Sequence, residues 1–190
     1  MRRLLSYSLV LTGLLVFGLT YGPLLTQEFK QYQRSMTPVS TTDIRPVNDD
    51  FGIVIPKIGA NSLVVAEVDP LNANEYQQAL STGVAHAKGS VKPGEQGSVF
   101  LFAHSSVNFF EAAKYNSVFY LLHWLKPGDE IWLFYQQKKY IYRVDKLERV
   151  RPDRVDYLYQ FQPLEKLVLM TCWPPGTSLQ RMMVTAMLVE

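Results

Sequence analysis

From residue 51 onward the chain is built of short apolar runs, each closed by glycine, proline or polar residues. Residues 51–58, 63–68, 98–103, 130–135, 140–150, 166–171 and 182–189 are rich in Val, Ile, Leu, Phe and Tyr. Residues of these types, in runs this short with turn residues between them, read as β-strands. Residues 98–103 form an unbroken apolar run, as expected of a strand buried on both faces. Residues 139–145 alternate in part between apolar and polar, as expected of a half-exposed strand. Pro56 cannot donate to a ladder, which suggests an edge position for the first run. Two brief helices are expected as connectors. One covers 74–80, capped at Asn72 or Asn74; the other covers 117–125, with Val118, Leu121, Leu122 and Leu125 at helical spacing before Pro127-Gly128. Many short strands with Gly/Pro turns point to a barrel or a sandwich.

The amino-terminal end is of another kind. Arg2 and Arg3 precede an uncharged, mostly apolar stretch that runs to Gln27. About 20 such residues suffice to cross a bilayer, which predicts one transmembrane helix rather than a cleaved signal peptide. The basic residues before it lean towards a cytoplasmic amino terminus. The domain plan is then an anchor with a short cytoplasmic end over 1–27, a polar stalk over 28–50, and a folded domain over 51–190. The expected location is the bacterial cell membrane, single-pass, with the domain on the extracytoplasmic side.

The formal net charge is only +2, and the basic residues of 138–154 are interleaved with acidic ones. That gives no argument for a nucleic-acid partner, which calls for a concentrated basic patch. One cysteine and three scattered histidines give no recognisable zinc-ligand spacing. No metal or cofactor is expected.

Cys172 is the only cysteine, so no intrachain disulfide forms and the thiol either packs or reacts. It follows the apolar run 166–171 and precedes Trp173-Pro174-Pro175-Gly176, a strand end beside a loop. A cysteine nucleophile needs a base and a donor for the oxyanion. His104 also ends a strand, in Phe102-Ala103-His104, and its setting mirrors that of Cys172. His86 lies in a loop-like stretch, and His123, beside Trp124, reads as structural or surface. Arg181 stands nine positions after Cys172 at the start of the next strand, where a guanidinium can bind a developing oxyanion. The alternative for Arg181 is a surface arginine at a strand edge.

Together these residues bring the chain to a family. Leu169-Met170-Thr171-Cys172 resembles the T-L-x-T-C signature of the sortases, with Leu167-Val168 where the first Thr-Leu of that signature is expected. Residues 94–104 are similar to the family's glycine turn, apolar strand and histidine. Gly83-Val84-Ala85-His86-Ala87 is similar to its G-x-x-H segment, and residues 125–129 to the turn before a mid-domain strand. The short spacing from Cys172 to Arg181 is typical of several sortase classes. The resemblance covers residues 51–190.

The resemblance implies a mainly β fold, an eight-stranded sortase-type β-barrel with short connecting helices after the membrane helix. It implies a cysteine transpeptidase that cleaves an LPXTG-type C-terminal sorting signal. The acyl group passes through a Cys172 thioester to an amine of the cell wall or of another protein. Catalytic roles fall to His104, Cys172 and Arg181, and substrate-binding roles to Thr171, Trp173 and His86. The implied partners are exported proteins with a sorting signal, an amine acceptor such as a peptidoglycan precursor or a protein lysine, and the membrane through the anchor. Ser105 and Trp173 depart from the family's usual residues. No C-terminal apolar segment is expected after Met187-Leu188-Val189-Glu190, which disfavours the pilin-polymerising class. Two other readings stay open on the residues alone: a cysteine L,D-transpeptidase of peptidoglycan, and a non-catalytic membrane-tethered β domain that binds envelope proteins.

Overall fold

The computed structural model describes residues 10–20, 44–105, 118–153 and 165–190, together with residues 7, 22 and 26. The chain divides into two compact units, Met1–Pro38 and Val39–Glu190.

In the first unit residues 10–20 are helical and exposed, and the Thr20 hydroxyl donates to the Val16 carbonyl at 2.7 Å. Among the described residues no helix is long and apolar enough to cross a membrane. This overturns the expected transmembrane helix, and with it the single-pass placement in the bacterial cell membrane. The reason is length and composition. At about 1.5 Å per residue, residues 10–20 span about 16 Å, about half of a ~30 Å hydrocarbon core. Gly13, Gly18, Thr12 and Thr20 dilute that stretch further. Apart from residues 7, 22 and 26, the rest of the expected span, and most of the expected stalk, lie outside the described residues.

The second unit holds eight strands among its described residues: β1 (Phe51–Ile55), β2 (Ala60–Val68), β3 (Val84–Ala87), β4 (Ser98–Phe102), β5 (Glu130–Tyr135), β6 (Lys138–Val150), β7 (Lys166–Trp173) and β8 (Gln180–Leu188). They close into a barrel in the order β1-β2-β3-β4-β7-β8-β6-β5. Closure gives every strand two neighbours and leaves no edge. The edge position suggested by Pro56 is therefore not found. β1 pairs with both β2 and β5, and Pro56 opens a 3-10 turn (Pro56–Ile58) just past the strand, where its missing N–H costs nothing.

β3 is the strand that the apolar runs do not reveal. Val84-Ala85-His86-Ala87 is short, rich in alanine and buried at every position, so it shows neither high β-propensity nor alternation. It pairs parallel with β2, which requires a crossover. The helix Ala73–Thr82 supplies it. Asn72 caps that helix, its Oδ1 accepting from the Glu75 N–H at 3.3 Å, while the Glu75 carboxylate accepts from the Asp69 N–H at 2.8 Å. Gly83 then lets the chain pass against the Leu63 carbonyl, which a Cβ at this position would strike. The second expected helix is instead a turn over 118–121 and a 3-10 segment, Leu122–Trp124, with residue 117 outside the described residues.

Inward-facing side chains fill the barrel: Ile53, Ile55, Leu101, Leu133, Leu167, Leu169 and Val184 are fully buried. Residues 45–50 are fastened to the barrel. Asn61 bonds the Arg45 carbonyl at 2.8 Å and the Val47 N–H at 2.9 Å, and the Asp50 carbonyl accepts from Gln136 at 3.0 Å.

Candidate active site

The parallel pair β4/β7 and the antiparallel pair β7/β8 lie side by side in the barrel wall. Their registers place three residues in a row. In β7/β8, Cys172 is the direct partner of Arg181. Residues directly opposite point to the same face, with Cβ atoms about 5 Å apart. In β4/β7, Phe102 is the partner of Met170. The pairing runs one residue past the end of β4, because the Ala103 N–H donates to the Met170 carbonyl at 3.2 Å. Continued one residue further, the same register would place His104 beside Cys172. Neighbouring strands are about 4.8 Å apart. His104, Cys172 and Arg181 thus stand on three adjacent strand ends with the thiol in the middle.

Alternation decides which face they share. Leu167, Leu169 and Thr171 of β7 are buried in the barrel, so Met170 and Cys172 point outward. On β8, Met182, Val184 and Ala186 point in, which sends Arg181 outward. Cys172, His104 and Arg181 are all half-buried. Burial pushes the His104 imidazole below its ordinary pKa. Among the described residues nothing hydrogen-bonds the His104 ring. A neutral imidazole beside a thiol can take and return its proton. Arg181 Nη1 donates to the Ser178 and Gln180 carbonyls, both at 3.3 Å, which fixes its head at the β7–β8 turn, and among the described residues no hydrogen bond takes its other donors.

The other three expected site residues are placed differently. Thr171 is 4 % exposed and faces the core, where its hydroxyl donates to the Ala103 carbonyl at 2.9 Å. Trp173, one residue after Cys172, points the opposite way, over the barrel end. There its ring lies 4.9 Å from that of His123 and 4.8 Å from the Arg149 guanidinium carbon. His123 and Arg149 were not connected to this region by sequence. His123 reads as a structural or surface residue and Arg149 as part of a mixed-charge surface, and only the fold brings them to Trp173.

His86 is fully buried on β3, opposite Leu101 and three residues along the wall from His104. Its Nδ1 accepts from the Glu67 N–H at 3.4 Å and faces Lys92 Nζ at 3.3 Å. Nε2 therefore carries the proton, with the Val91 carbonyl at 3.1 Å and the Ser90 hydroxyl at 2.8 Å as its partners. Lys92 also pairs with Glu67. Hydrogen bonding from Lys92 holds the Glu67 carboxyl below its usual range, and burial holds His86 below its own. The structure does not bring His86 to the Cys172 row. Among the described residues, no group of three His, Cys, Asp or Glu side chains is placed to hold a metal ion.

Comparison with known proteins gives this geometry a lineage. The family model described as the Sortase domain matches residues 53–189. Sortase D of Bacillus subtilis (strain 168) is 28 % identical over 120 residues, which is 63 % of this chain and 52 % of that protein. The chain thus spans about half the length of the curated relative it matches. Among solved structures, sortase C1 of Streptococcus suis superposes with a TM-score of 0.62 at 24 % identity, covering 74 % of this chain and 72 % of that one. A sortase D5 transpeptidase of Clostridium perfringens superposes at 0.60 with 20 % identity, covering 86 % and 89 %. The structural likenesses speak for the fold, and the family match runs from within β1 through β8: the chain belongs to the sortase family.

Proposed function

We propose that this protein is a cysteine transpeptidase acting on exported proteins with an LPXTG-type C-terminal sorting signal. The observation that carries the reading is the pairing of Cys172 with Arg181 across β7 and β8, with His104 just past the end of the neighbouring β4. In the first half-reaction His104 takes the proton of the Cys172 thiol, and the sulfur attacks the carbonyl carbon of the threonine in the signal. The C–S bond forms first, and the tetrahedral adduct then loses the peptide C–N bond as protonated His104 gives that proton to the departing amine. Arg181 steadies the oxyanion through the tetrahedral stage with a charge that persists across the working pH range. In the second half-reaction an amine attacks the thioester. His104 accepts its proton, a new amide forms, and Cys172 is released. The acceptor is an amine of a peptidoglycan precursor or a lysine of another protein, and water in its place gives hydrolysis.

The experiment is a transfer assay with the full chain, fluorogenic sorting peptides and an amine acceptor. Wild type should form the amide product and Cys172→Ala should not. Equal cleavage by the two, or no cleavage of any peptide, removes the basis of the proposal.

A further inference from the structure

Thr171 precedes the thiol, yet it faces the core and is 4 % exposed, so it cannot reach a peptide lying on the outer face. Its hydroxyl bonds instead to the Ala103 carbonyl at 2.9 Å, across the strand pair. That carbonyl oxygen belongs to the peptide unit joining Ala103 to His104. A peptide unit is planar, so fixing its oxygen fixes the direction in which the chain enters His104. The other polar group of Ala103 is held too, its N–H bonded to the Met170 carbonyl at 3.2 Å. Two successive β7 residues thus grip Ala103 just past the end of β4, and the next residue on each strand is His104 and Cys172. Among the described residues nothing hydrogen-bonds the His104 ring, and these two bonds hold the backbone that leads into it.

From this geometry, and resting on the transpeptidase reading above, we infer that Thr171 is a positioning residue that holds His104 at its distance from Cys172 through the Ala103 carbonyl. It is not a contact for the substrate. A buried carbonyl that loses its donor turns towards another, and the peptide plane turns with it.

The test compares Thr171→Val, which keeps the shape but not the hydroxyl, with Thr171→Ser, which keeps the hydroxyl. Both are made in the full chain. Peptide-cleavage kinetics are read together with the NMR titration of the His104 ring. In Thr171→Val, kcat should fall by about tenfold or more while KM stays nearly unchanged, as expected for a misplaced reacting group. The His104 titration midpoint should move in that variant and stay in place in Thr171→Ser, which should also keep most of the wild-type kcat. A raised KM with unchanged kcat in Thr171→Val overturns the inference in favour of a substrate contact. A Thr171→Ser variant that loses activity while Thr171→Val keeps it overturns the inference in favour of packing by the methyl group. If Thr171→Val does not fold, Thr171→Ala against Thr171→Ser isolates the same hydroxyl. If wild type cleaves no peptide, the transpeptidase reading falls and the His104 titration alone decides: an identical midpoint in all variants overturns the positioning role.

Discussion

Two histidines on neighbouring strands of this barrel live in opposite conditions. His86 on β3 is fully buried and bonded at both ring nitrogens, to Ser90 and Val91 on one side and to Glu67 and Lys92 on the other. His104, just past β4, is half-buried and no described residue hydrogen-bonds its ring. Burial lowers the pKa of both. A fully bonded ring can hold strands together but has no capacity left for a substrate. A ring without partners contributes little to folding and is free to exchange a proton with whatever stands beside it. The contrast separates a histidine that builds the barrel from one that can work on its surface.

The sharpest way to break this comparison is to remove each ring in turn. His104→Ala should lower the turnover of a sorting peptide by about 10²–10⁴-fold, the usual contribution of a general acid–base group. Its urea midpoint should stay close to that of wild type. Arg181→Ala comes next. Loss of an oxyanion donor typically costs about 10²–10³-fold in kcat, so a drop of that order is expected with the fold intact. Collapse of the domain would instead mark Arg181 as a structural residue.

His86→Ala should reverse the pattern. It opens a buried space and strands the Val91 carbonyl, while the Ser90 hydroxyl keeps the Ala87 carbonyl and the Phe100 N–H, at a cost of about 2–4 kcal/mol by urea unfolding. Turnover per folded molecule should be largely kept. A fully folded His86→Ala protein without activity would erase the distinction.

The smallest expected effect is the response to acid. Both histidines titrate below their ordinary value in the folded protein, whereas in the unfolded chain each takes up a proton near about pH 6.5. Below that pH the unfolded state binds more protons, so stability falls as pH falls and is fully present above it. Lys92 faces His86 and opposes its protonation, while Glu67 and Glu95 favour it. Urea midpoints measured from pH 8 to pH 5 should decline in wild type and decline less in His86→Gln.

Much of this architecture is legible in the residues. The runs at 130–135 and 166–171 return as β5 and β7, because β-branched and aromatic side chains pack on a pleated surface wherever the strand sits. β3 is not legible, since Ala85, His86 and Ala87 carry no strand signal and are held by their neighbours on both sides. That is why His86 reads as a loop residue near the site when it is a core residue away from it. The residues 117–125 show helical spacing, but those described, from 118 on, form a turn and a 3-10 segment. The strand-end placement of Cys172, Arg181 and His104 is legible in the residues, because two strand ends and a nine-residue return are local features. The direction of Thr171 and Trp173 was not, because alternation assigns faces only once the strand is known to continue through Trp173.

The most direct measurement is the intact mass of the full chain quenched during turnover of a sorting peptide. The account predicts an adduct equal to the acyl fragment of the peptide, mapped to Cys172, discharged by an added amine, and accumulating when His104 is replaced only as fast as its slowed attack allows. An adduct on another residue, or peptide cleavage that persists in Cys172→Ala, would contradict it.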